Sequence, residues 1–245
     1  MASSAETKNF IKEIAPHAVK AYRELGKVYP SICIGMAIVE SGSGTSKVMR
    51  NHNAFLGQKV GTGKTATRYW DGTFFTSKTS EEYQVGVHTV IKAAFRSYKD
   101  TEQCIMNYYE LLNSKTYAKV LAGVGYVEQM KQIKACGYMT SSTEVDTVLS
   151  RISKFDLTIY DELAGAGEHV PAASGDEVNY KVIRVLKTGT AGKAVRVWQT
   201  IVDVKADGVF GQVTYNATIE FQKARGLKAD GIVGPKTWKE ALEHV

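Results

Sequence analysis

The sequence predicts a mainly α fold (α+β) with a larger N-terminal domain and a smaller C-terminal helical domain. Three observations predict this class. Apolar residues recur at helical spacing through most of residues 1–160, residues 65–98 are rich in aromatic and β-prone residues, and a 23-residue repeat occupies the C-terminal segment. We therefore expect helices, a small β-hairpin lobe, and a separate bundle of about three short helices.

The first two helices are predicted from their caps and apolar positions. Ser3 and Glu6 stand at capping-box spacing, and Gly26 ends the apolar periodicity that follows. A second helix is expected from Pro30 to Glu40, and it is apolar nearly all round. A helix of that composition is buried in a protein core.

The β lobe is predicted from turn and strand residues. An Asp71-Gly72 turn lies between aromatic residues, and the segment from His88 to Tyr98 is β-prone, so we expect one or two hairpins. Three further helices are predicted beyond it: one capped by Asp100 with Gln103, one over residues 127–135, and one over residues 143–155.

Charge and composition divide the chain. The net charge is +6, yet residues 161–180 hold five acids and no Lys or Arg, so an acidic connector separates two basic bodies. Residues 164–175 consist largely of Gly, Ala, Pro and Ser, which is typical of a linker. We predict domains over 1–162 and 180–245 with a linker over 163–179. The two basic bodies suit an anionic polymer as partner.

Several classes of protein are excluded on composition. The sequence has no run of basic residues interleaved with aromatics, the pattern that would indicate a nucleic-acid partner. It also has no apolar run that approaches the ~18–20 residues of a membrane span. The polar residues 1–9 predict no signal peptide. Three scattered cysteines argue against a disulfide framework, and the histidines show no metal-ligand spacing, so we expect no metal and no cofactor. These histidines are His17, His52, His88, His169 and His244.

In the C-terminal segment Trp198-Gln199 is followed by Asp207-Gly208, and 23 residues later Phe221-Gln222 is followed by Asp230-Gly231 at the same offset. With this repeat the segment resembles the PG_binding_1 family of peptidoglycan-binding domains. The resemblance implies a non-catalytic three-helix module that holds an enzyme on the bacterial cell wall. Asp-Gly turns, helix-capping Thr and core aromatics account physically for most of the matching positions. Those positions include Trp198-Gln199, Asp207-Gly208-Val209-Phe210-Gly211, Phe221-Gln222 and Asp230-Gly231-Ile232-Val233-Gly234-Pro235-Lys236-Thr237-Trp238.

Glu40 is the candidate general acid of the N-terminal domain. Cleavage of a glycosidic bond needs a carboxylic acid that stays protonated near neutral pH, and burial beside apolar groups raises a carboxyl pKa. Glu40 closes the apolar helix and precedes a Gly-rich turn that would let a polymer approach. On position alone, a solvent-facing Glu at a helix end is the favoured interpretation.

Glu40-Ser41-Gly42, Asn53-Ala54-Phe55 and Phe95-Arg96-Ser97-Tyr98 follow one another along the N-terminal domain. These motifs resemble glycoside hydrolase family 73, peptidoglycan N-acetylglucosaminidases with a lysozyme-like fold. The resemblance implies that Glu40 is the acid. The chain departs from the family pattern at Ser43, where an aromatic is usual, and at Gln58, where Ile is usual. The matching motifs, in order, are Ala37-Ile38-Val39-Glu40-Ser41-Gly42-Ser43-Gly44, Asn53-Ala54-Phe55-Leu56-Gly57-Gln58, Ala94-Phe95-Arg96-Ser97-Tyr98 and Ala135-Cys136-Gly137-Tyr138.

The same resemblance implies a second carboxylate from the β lobe. Glu82, followed by Tyr83, stands at the family's position, and inversion would need this base ~6.5–9.5 Å from the acid. Glu81 is the alternative base, and assistance by the substrate's own acetamido group would need no second carboxylate. A solvated Glu-Glu pair on a hairpin is the structural alternative.

The resemblance also implies residues that contact the sugar. Tyr138 is expected to orient the sugar at the cleavage point, unless it is an aromatic packed on the last helix. Tyr83 is a further candidate. Asn53 is expected to hold the loop after Glu40, and Tyr98 is either a substrate contact or a core residue.

The predicted function is an endo-acting N-acetylglucosaminidase that cleaves the β-1,4 bond between GlcNAc and MurNAc in peptidoglycan. The alternatives are a lytic transglycosylase or muramidase, and a non-catalytic wall-binding protein. We expect a monomeric phage endolysin that is made in the host cytoplasm and acts on the wall after release. Glycan strands are the expected partner, with neither nucleic acid nor membrane insertion.

Overall fold

The computed structural model describes residues 2–61, 66–166 and 185–243. The chain divides into two compact units, residues 1–167 and 168–245. Most of the predicted linker lies outside the described residues, and its first positions, Leu163 and Ala164, end a helix of the first unit. Within the described ranges, no helix is both long and apolar enough to cross a membrane.

The first unit is built around two predicted helices. Helix α1 (Ser4–Leu25) begins at the predicted capping box, in which Ser3 accepts from the Glu6 backbone N–H and Glu6 accepts from that of Ser3. Helix α2 (Pro30–Glu40) is buried from Pro30 to Ile38. Both predictions are confirmed, and the buried helix carries Glu40 at its C-terminal end.

Helix α2 lies against α1, α6 (Glu144–Lys154) and α7 (Thr158–Ala164). A Cβ at Gly35 would lie 3.0 Å from Val148 Cγ1 and 3.1 Å from a side-chain carbon of Ile152. The missing side chain therefore allows α2 and α6 to approach closely. The remaining helices of this unit are α3 (Lys47–Asn51), α4 (Thr101–Leu112), a 3₁₀ turn (Lys115–Tyr117) and α5 (Tyr126–Ala135).

The β lobe is one antiparallel hairpin in the described residues, formed by β1 (Phe74–Gln84) and β2 (Val87–Arg96). The pairing is irregular between Glu82 and Gln84. The chain reverses at Val85 and Gly86, so the expected Asp71-Gly72 hairpin turn is wrong. The Asp71 carboxylate instead accepts from the backbone N–H and hydroxyl of Thr73, ahead of the first strand.

The C-terminal unit is the predicted bundle of three helices: α8 (Lys193–Ile201), α9 (Gln212–Ala224) and α10 (Pro235–Glu243). Trp198 is fully buried and packs edge-on against both Phe221 and Trp238. The Trp198 indole N–H donates to Thr218 Oγ1 at 2.7 Å, so the buried ring leaves no polar atom unpaired.

The 23-residue repeat is a repeated hydrogen-bond arrangement. Gln199 Nε2 donates to Asp207 Oδ1, the Val209 carbonyl and Thr214 Oγ1, while its Oε1 accepts from the Gly208 N–H. Each buried glutamine thus fastens the turn that leads into the next helix. The second copy comprises Gln222, Asp230, Gly231, Ile232 and Thr237.

Gln199→Ala is expected to lower the free energy of unfolding of the C-terminal unit by about 2–4 kcal/mol, because it leaves buried groups unpaired. Gln212→Ala is the matched control, since Gln212 is exposed and bonds only along its own helix to Asn216. Hydrogen exchange of the C-terminal amides measures both. Equal loss of protection in the two variants would contradict this role of the buried glutamine.

Candidate active site

Glu40 is the final residue of α2, and its side chain is half-buried. Burial is the main cause that raises its pKa well above the ordinary value of 4.5, followed by a hydrogen bond to Glu144 and the charge of that residue. The charge of Lys59 acts in the opposite direction, and that of Glu81 adds to the increase. The carboxyl group can therefore stay protonated near neutral pH, as a general acid must.

The backbone at Gly57 covers the carboxyl group of Glu40. Gly57 has φ +61°, and a Cβ there would lie 2.5 Å from Glu40 Oε2. A larger residue at position 57 would be strained by this backbone angle, and its Cβ would have to displace the Glu40 carboxyl. Gly57 belongs to the motif Asn53-Ala54-Phe55-Leu56-Gly57-Gln58, but nothing in the sequence shows that this glycine faces Glu40.

Tyr138 holds the segment that precedes Gly57. Its hydroxyl donates to the Leu56 carbonyl at 2.8 Å, and its ring packs against Tyr108 and Tyr117. Burial raises the pKa of Tyr138 well above the usual value, and the charges of Tyr108 and Glu40 add to it. Tyr138 thus lies near the acid, and its hydroxyl is occupied by the backbone. Orientation of a sugar by Tyr138 stays a prediction.

Glu81 and Lys59 form an ion pair near Glu40. Glu81 is buried, Lys59 Nζ lies 2.7 Å from its Oε1, and Thr140 Oγ1 donates to its Oε2 at 3.0 Å. Burial alone would raise the pKa of Glu81, but the hydrogen bond and charge of Lys59, with Thr140, lower it overall. Glu81 is therefore a charged group that acts on Glu40.

Glu82 joins the hairpin to the loop that follows Tyr138. Its Oε1 accepts from the Gly86 N–H at 2.7 Å and from Ser142 Oγ at 3.0 Å, and its Oε2 accepts from the Ser142 N–H at 2.5 Å. These bonds, led by the Gly86 N–H, lower the pKa of Glu82 to about 2. The carboxylate is ionised, and in this arrangement its oxygens are occupied.

The other predicted contacts are spread more widely. Tyr83, beside the irregular pairing, is 66% exposed at the end of the hairpin. Asn53 Nδ2 donates to the carbonyls of Tyr98 and Lys99, so it ties the loop after α3 to the end of β2. The role of Asn53 in holding the loop after Glu40 stays a prediction.

Tyr98 lies in the core, at 6% exposure. Its hydroxyl lies 2.8 Å from both Gln58 Oε1 and Asn107 Oδ1, where it joins a buried polar network. Arg96 Nη1 donates to the same Asn107 oxygen. The structure therefore supports the core alternative for Tyr98, because little of its surface can meet a sugar. Gln58, which departs from the family pattern, belongs to this network.

Glu144 is the site residue that the sequence did not reveal. It is the first residue of α6, where an acidic side chain is ordinary because it complements the helix dipole. Its proximity to Glu40 arises from the packing of α2 on α6, which brings together residues far apart in the chain. No local sequence pattern could have distinguished it from Asp146, the other acid in the same turn.

Comparison with known proteins assigns the chain to a family. A glucosaminidase profile, described as mannosyl-glycoprotein endo-beta-N-acetylglucosaminidase, matches residues 15–191. The chain belongs to this family. A second profile, the peptidoglycan-binding domain PG_binding_1, matches residues 193–240. Both resemblances noted in the sequence are thereby confirmed.

Curated relatives of this glucosaminidase family member include two bacterial proteins. The chain is 29% identical to exo-glucosaminidase LytG of Bacillus subtilis, covering 64% of this chain and 55% of LytG. It is 32% identical to peptidoglycan hydrolase FlgJ of Vibrio cholerae, covering 64% of this chain and 46% of FlgJ. The chain thus spans about half the length of the curated relatives it matches.

The fold also matches a solved structure. A crystal structure of a peptidoglycan hydrolase mutant from Sphingomonas sp. A1 superposes with a TM-score of 0.51 at 25% identity, covering 62% of this chain and 97% of that one. The N-terminal unit is therefore a lysozyme-like glycoside hydrolase domain, as the sequence predicted, with a small helical domain after it.

Proposed function

We propose that this protein is an endo-acting N-acetylglucosaminidase that hydrolyses the β-1,4 bond between GlcNAc and MurNAc in peptidoglycan. One observation carries the proposal: the carboxyl group of Glu40 lies against the backbone at Gly57, in surroundings whose burial raises its pKa well above the usual value. Family membership and the peptidoglycan hydrolases among the relatives support this substrate.

In the proposed reaction, Glu40 donates its proton to the oxygen of the scissile bond as the leaving sugar departs. Water then adds to the anomeric carbon, and its proton passes to a base. Glu82 is our candidate for that base and Glu81 the alternative. Assistance by the acetamido group of the GlcNAc would replace the base altogether.

The C-terminal unit supplies attachment in this proposal. Its match to a peptidoglycan-binding family supports a role in holding the hydrolase near its polymeric substrate. Attachment raises the effective concentration of the substrate at the catalytic unit, so it acts on apparent affinity rather than on the chemical step.

Mass spectrometry of muropeptides from purified peptidoglycan, after borohydride reduction, tests the activity. Wild type is expected to produce reduced GlcNAc ends, and Glu40→Gln is expected to produce none. Reduced MurNAc ends would indicate a muramidase, and anhydro-MurNAc ends a lytic transglycosylase. Unchanged walls that sediment with the protein would leave only wall binding. Release of single terminal GlcNAc residues would indicate exo-action.

Gly57→Ala is expected to lower turnover at least about tenfold, because the new methyl group would displace the Glu40 carboxyl, and small displacements of a catalytic group are costly. Gly61→Ala is the matched control, since Gly61 has φ +71° and a Cβ there meets nothing within 4 Å among the residues that the structure describes. Both variants bear a similar backbone strain of roughly 1–2 kcal/mol.

Turnover on peptidoglycan and thermal unfolding are measured for both glycine variants. Similar loss of stability, with loss of turnover confined to Gly57→Ala, is the expected pattern. If the two variants retain equal turnover, Gly57 has no particular role at the acid.

For the cellular setting, we propose a monomeric phage endolysin that reaches the wall after a second protein has opened the membrane. The union of a hydrolase unit and a wall-binding unit in one chain supports this role. Expression in a susceptible host, with and without a membrane-permeabilising holin, tests it. Lysis that needs no holin would contradict the proposal.

A further inference from the structure

Glu40, the last residue of α2, has Glu144, the first residue of α6, as a hydrogen-bonded neighbour. Gly35 of α2 touches Val148 of α6, and the two acids lie one to one and a half turns beyond this contact, in opposite chain directions. With a rise of about 1.5 Å per residue, both lie roughly 6–7.5 Å along the axes from the contact. The Gly35–Val148 contact and the hydrogen bond between the two acids together show that α2 and α6 run in opposite directions here.

The two carboxyl groups are hydrogen-bonded to each other. Glu144 Oε1 is buried, and no conventional donor in the described part of the chain reaches it. A hydrogen bond between two carboxyl groups requires that one be protonated, because two carboxylates at this separation repel each other. We infer that the pair shares one proton, and that this proton forms the hydrogen bond between the two carboxyl groups.

The helix ends decide which acid holds the proton. Glu40 is the last residue of α2, where the dipole disfavours an anion, whereas Glu144 is the first residue of α6, where it favours one. The asymmetry favours the proton on Glu40, with the Glu144 carboxyl as the acceptor of its hydrogen bond. The pair thus has the protonation state that a general acid requires before it meets its substrate.

Other titratable groups also act on Glu40. Lys59, from the segment before the hairpin, favours its ionised form, and Glu81 of β1 favours the protonated one. Glu40 is in turn a source of charge for Tyr108 of α4 and for Tyr138, which follows α5. Glu144 differs from all of these because it is the group hydrogen-bonded to the Glu40 carboxyl.

We propose that Glu144 is a positioning residue for the acid: its carboxylate accepts a hydrogen bond from protonated Glu40, keeps the proton there and fixes the direction in which it is presented. This inference rests on the proposed glycosidase function. Glu144 itself donates nothing to the substrate and exchanges no bond with it.

The pH dependence of kcat/KM for Glu144→Gln tests the proposal. Removing the negative charge, and adding an amide N–H that can donate to a Glu40 carboxylate, both favour ionised Glu40. The alkaline limb of the profile is expected to move at least about one pH unit toward acid, a tenfold loss at a fixed pH on that limb. Asp146→Asn is the matched control, because Asp146 is exposed in the same helical turn.

Carbon-13 NMR titration of the Glu40 carboxyl gives a readout independent of substrate. In Glu144→Gln the Glu40 titration is expected to move to lower pH, and in Asp146→Asn to stay in place. Glu144→Ala, which leaves room for water, is the second variant if the glutamine fails to fold, and the same direction is expected.

An unmoved Glu40 titration in both Glu144 variants would overturn the proposal, whatever happens to turnover. A loss of turnover that is uniform across pH would also overturn it, since that marks a structural role only. The proposed function fails separately, if wild type produces no reduced GlcNAc ends while the Glu40 titration still responds to Glu144.

Discussion

Glu40→Gln is expected to lower turnover on peptidoglycan by about 10²–10⁴-fold, the usual contribution of a positioned general acid. The amide preserves the shape of the carboxyl group but has no proton to donate to the leaving oxygen. Release of reduced ends under single-turnover conditions measures the chemical step. Retention of more than about a tenth of the wild-type rate would contradict the assignment of Glu40 as the acid.

The same variant is expected to be more stable than wild type at alkaline pH. The folded protein holds the Glu40 proton more tightly than the unfolded chain does, because burial and Glu144 raise the pKa from its ordinary 4.5. The free energy of unfolding of wild type therefore falls as pH rises from about 4.5 toward the raised folded value. The glutamine of the variant does not ionise, so the variant does not lose this free energy of unfolding as pH rises.

Urea unfolding of both proteins from pH 2 to pH 9 measures the difference. The stability of Glu40→Gln relative to wild type is expected to increase with pH and then level off above the folded pKa. Glu82→Gln provides a comparison of opposite sign, because the pKa of Glu82 is lowered to about 2. Glu82 contributes stability that is present above its unfolded pKa and lost as pH falls toward 2.

Local features of the chain were predictable because their causes are local. The capping box at Ser3, the Asp100 cap of α4 and the apolar helix that ends at Glu40 each depend on residues within one or two turns. The 23-residue repeat belongs to the same class, since every partner of Gln199 lies within the next sixteen positions. Periodicity and cap chemistry are sufficient for such elements.

The surroundings of the acid were not predictable in the same way. Gly57 over the Glu40 carboxyl, Glu144 beside it and Lys59 paired with Glu81 are contacts between segments far apart in sequence. Their geometry follows from how α2, α6 and the hairpin pack, and no spacing rule encodes it. The hairpin turn failed for a related reason: an Asp-Gly pair such as Asp71-Gly72 can form a local Asx turn as readily as a hairpin.

Glu82→Gln is expected to lower turnover at least about a hundredfold. The variant loses the proposed base and also weakens the hydrogen bonds that hold the hairpin end to the loop at Ser142. The carboxylate accepts from Gly86 once and from Ser142 twice, and an amide has only one acceptor oxygen for these donors. The hairpin end is therefore expected to separate from the loop at Ser142. Ser142→Ala removes one of these bonds yet keeps the charge, so a base role predicts a loss of less than about tenfold there.

The acid limb of kcat/KM adds a second criterion for Glu82. With its pKa near 2, Glu82 is ionised across the working range, so the free enzyme is expected to show no ionisation of a base above about pH 3. A base that accepts hydrogen bonds from three donors is weak, and substrate must release it from Ser142 before it can accept a proton from water.

Glu81→Gln, which leaves Lys59 unpaired beside Glu40, should instead move the alkaline limb of the kcat/KM profile toward acid. If Glu81→Gln costs more turnover than Glu82→Gln, the base is Glu81, and if neither costs tenfold, the acetamido group of the substrate takes its place.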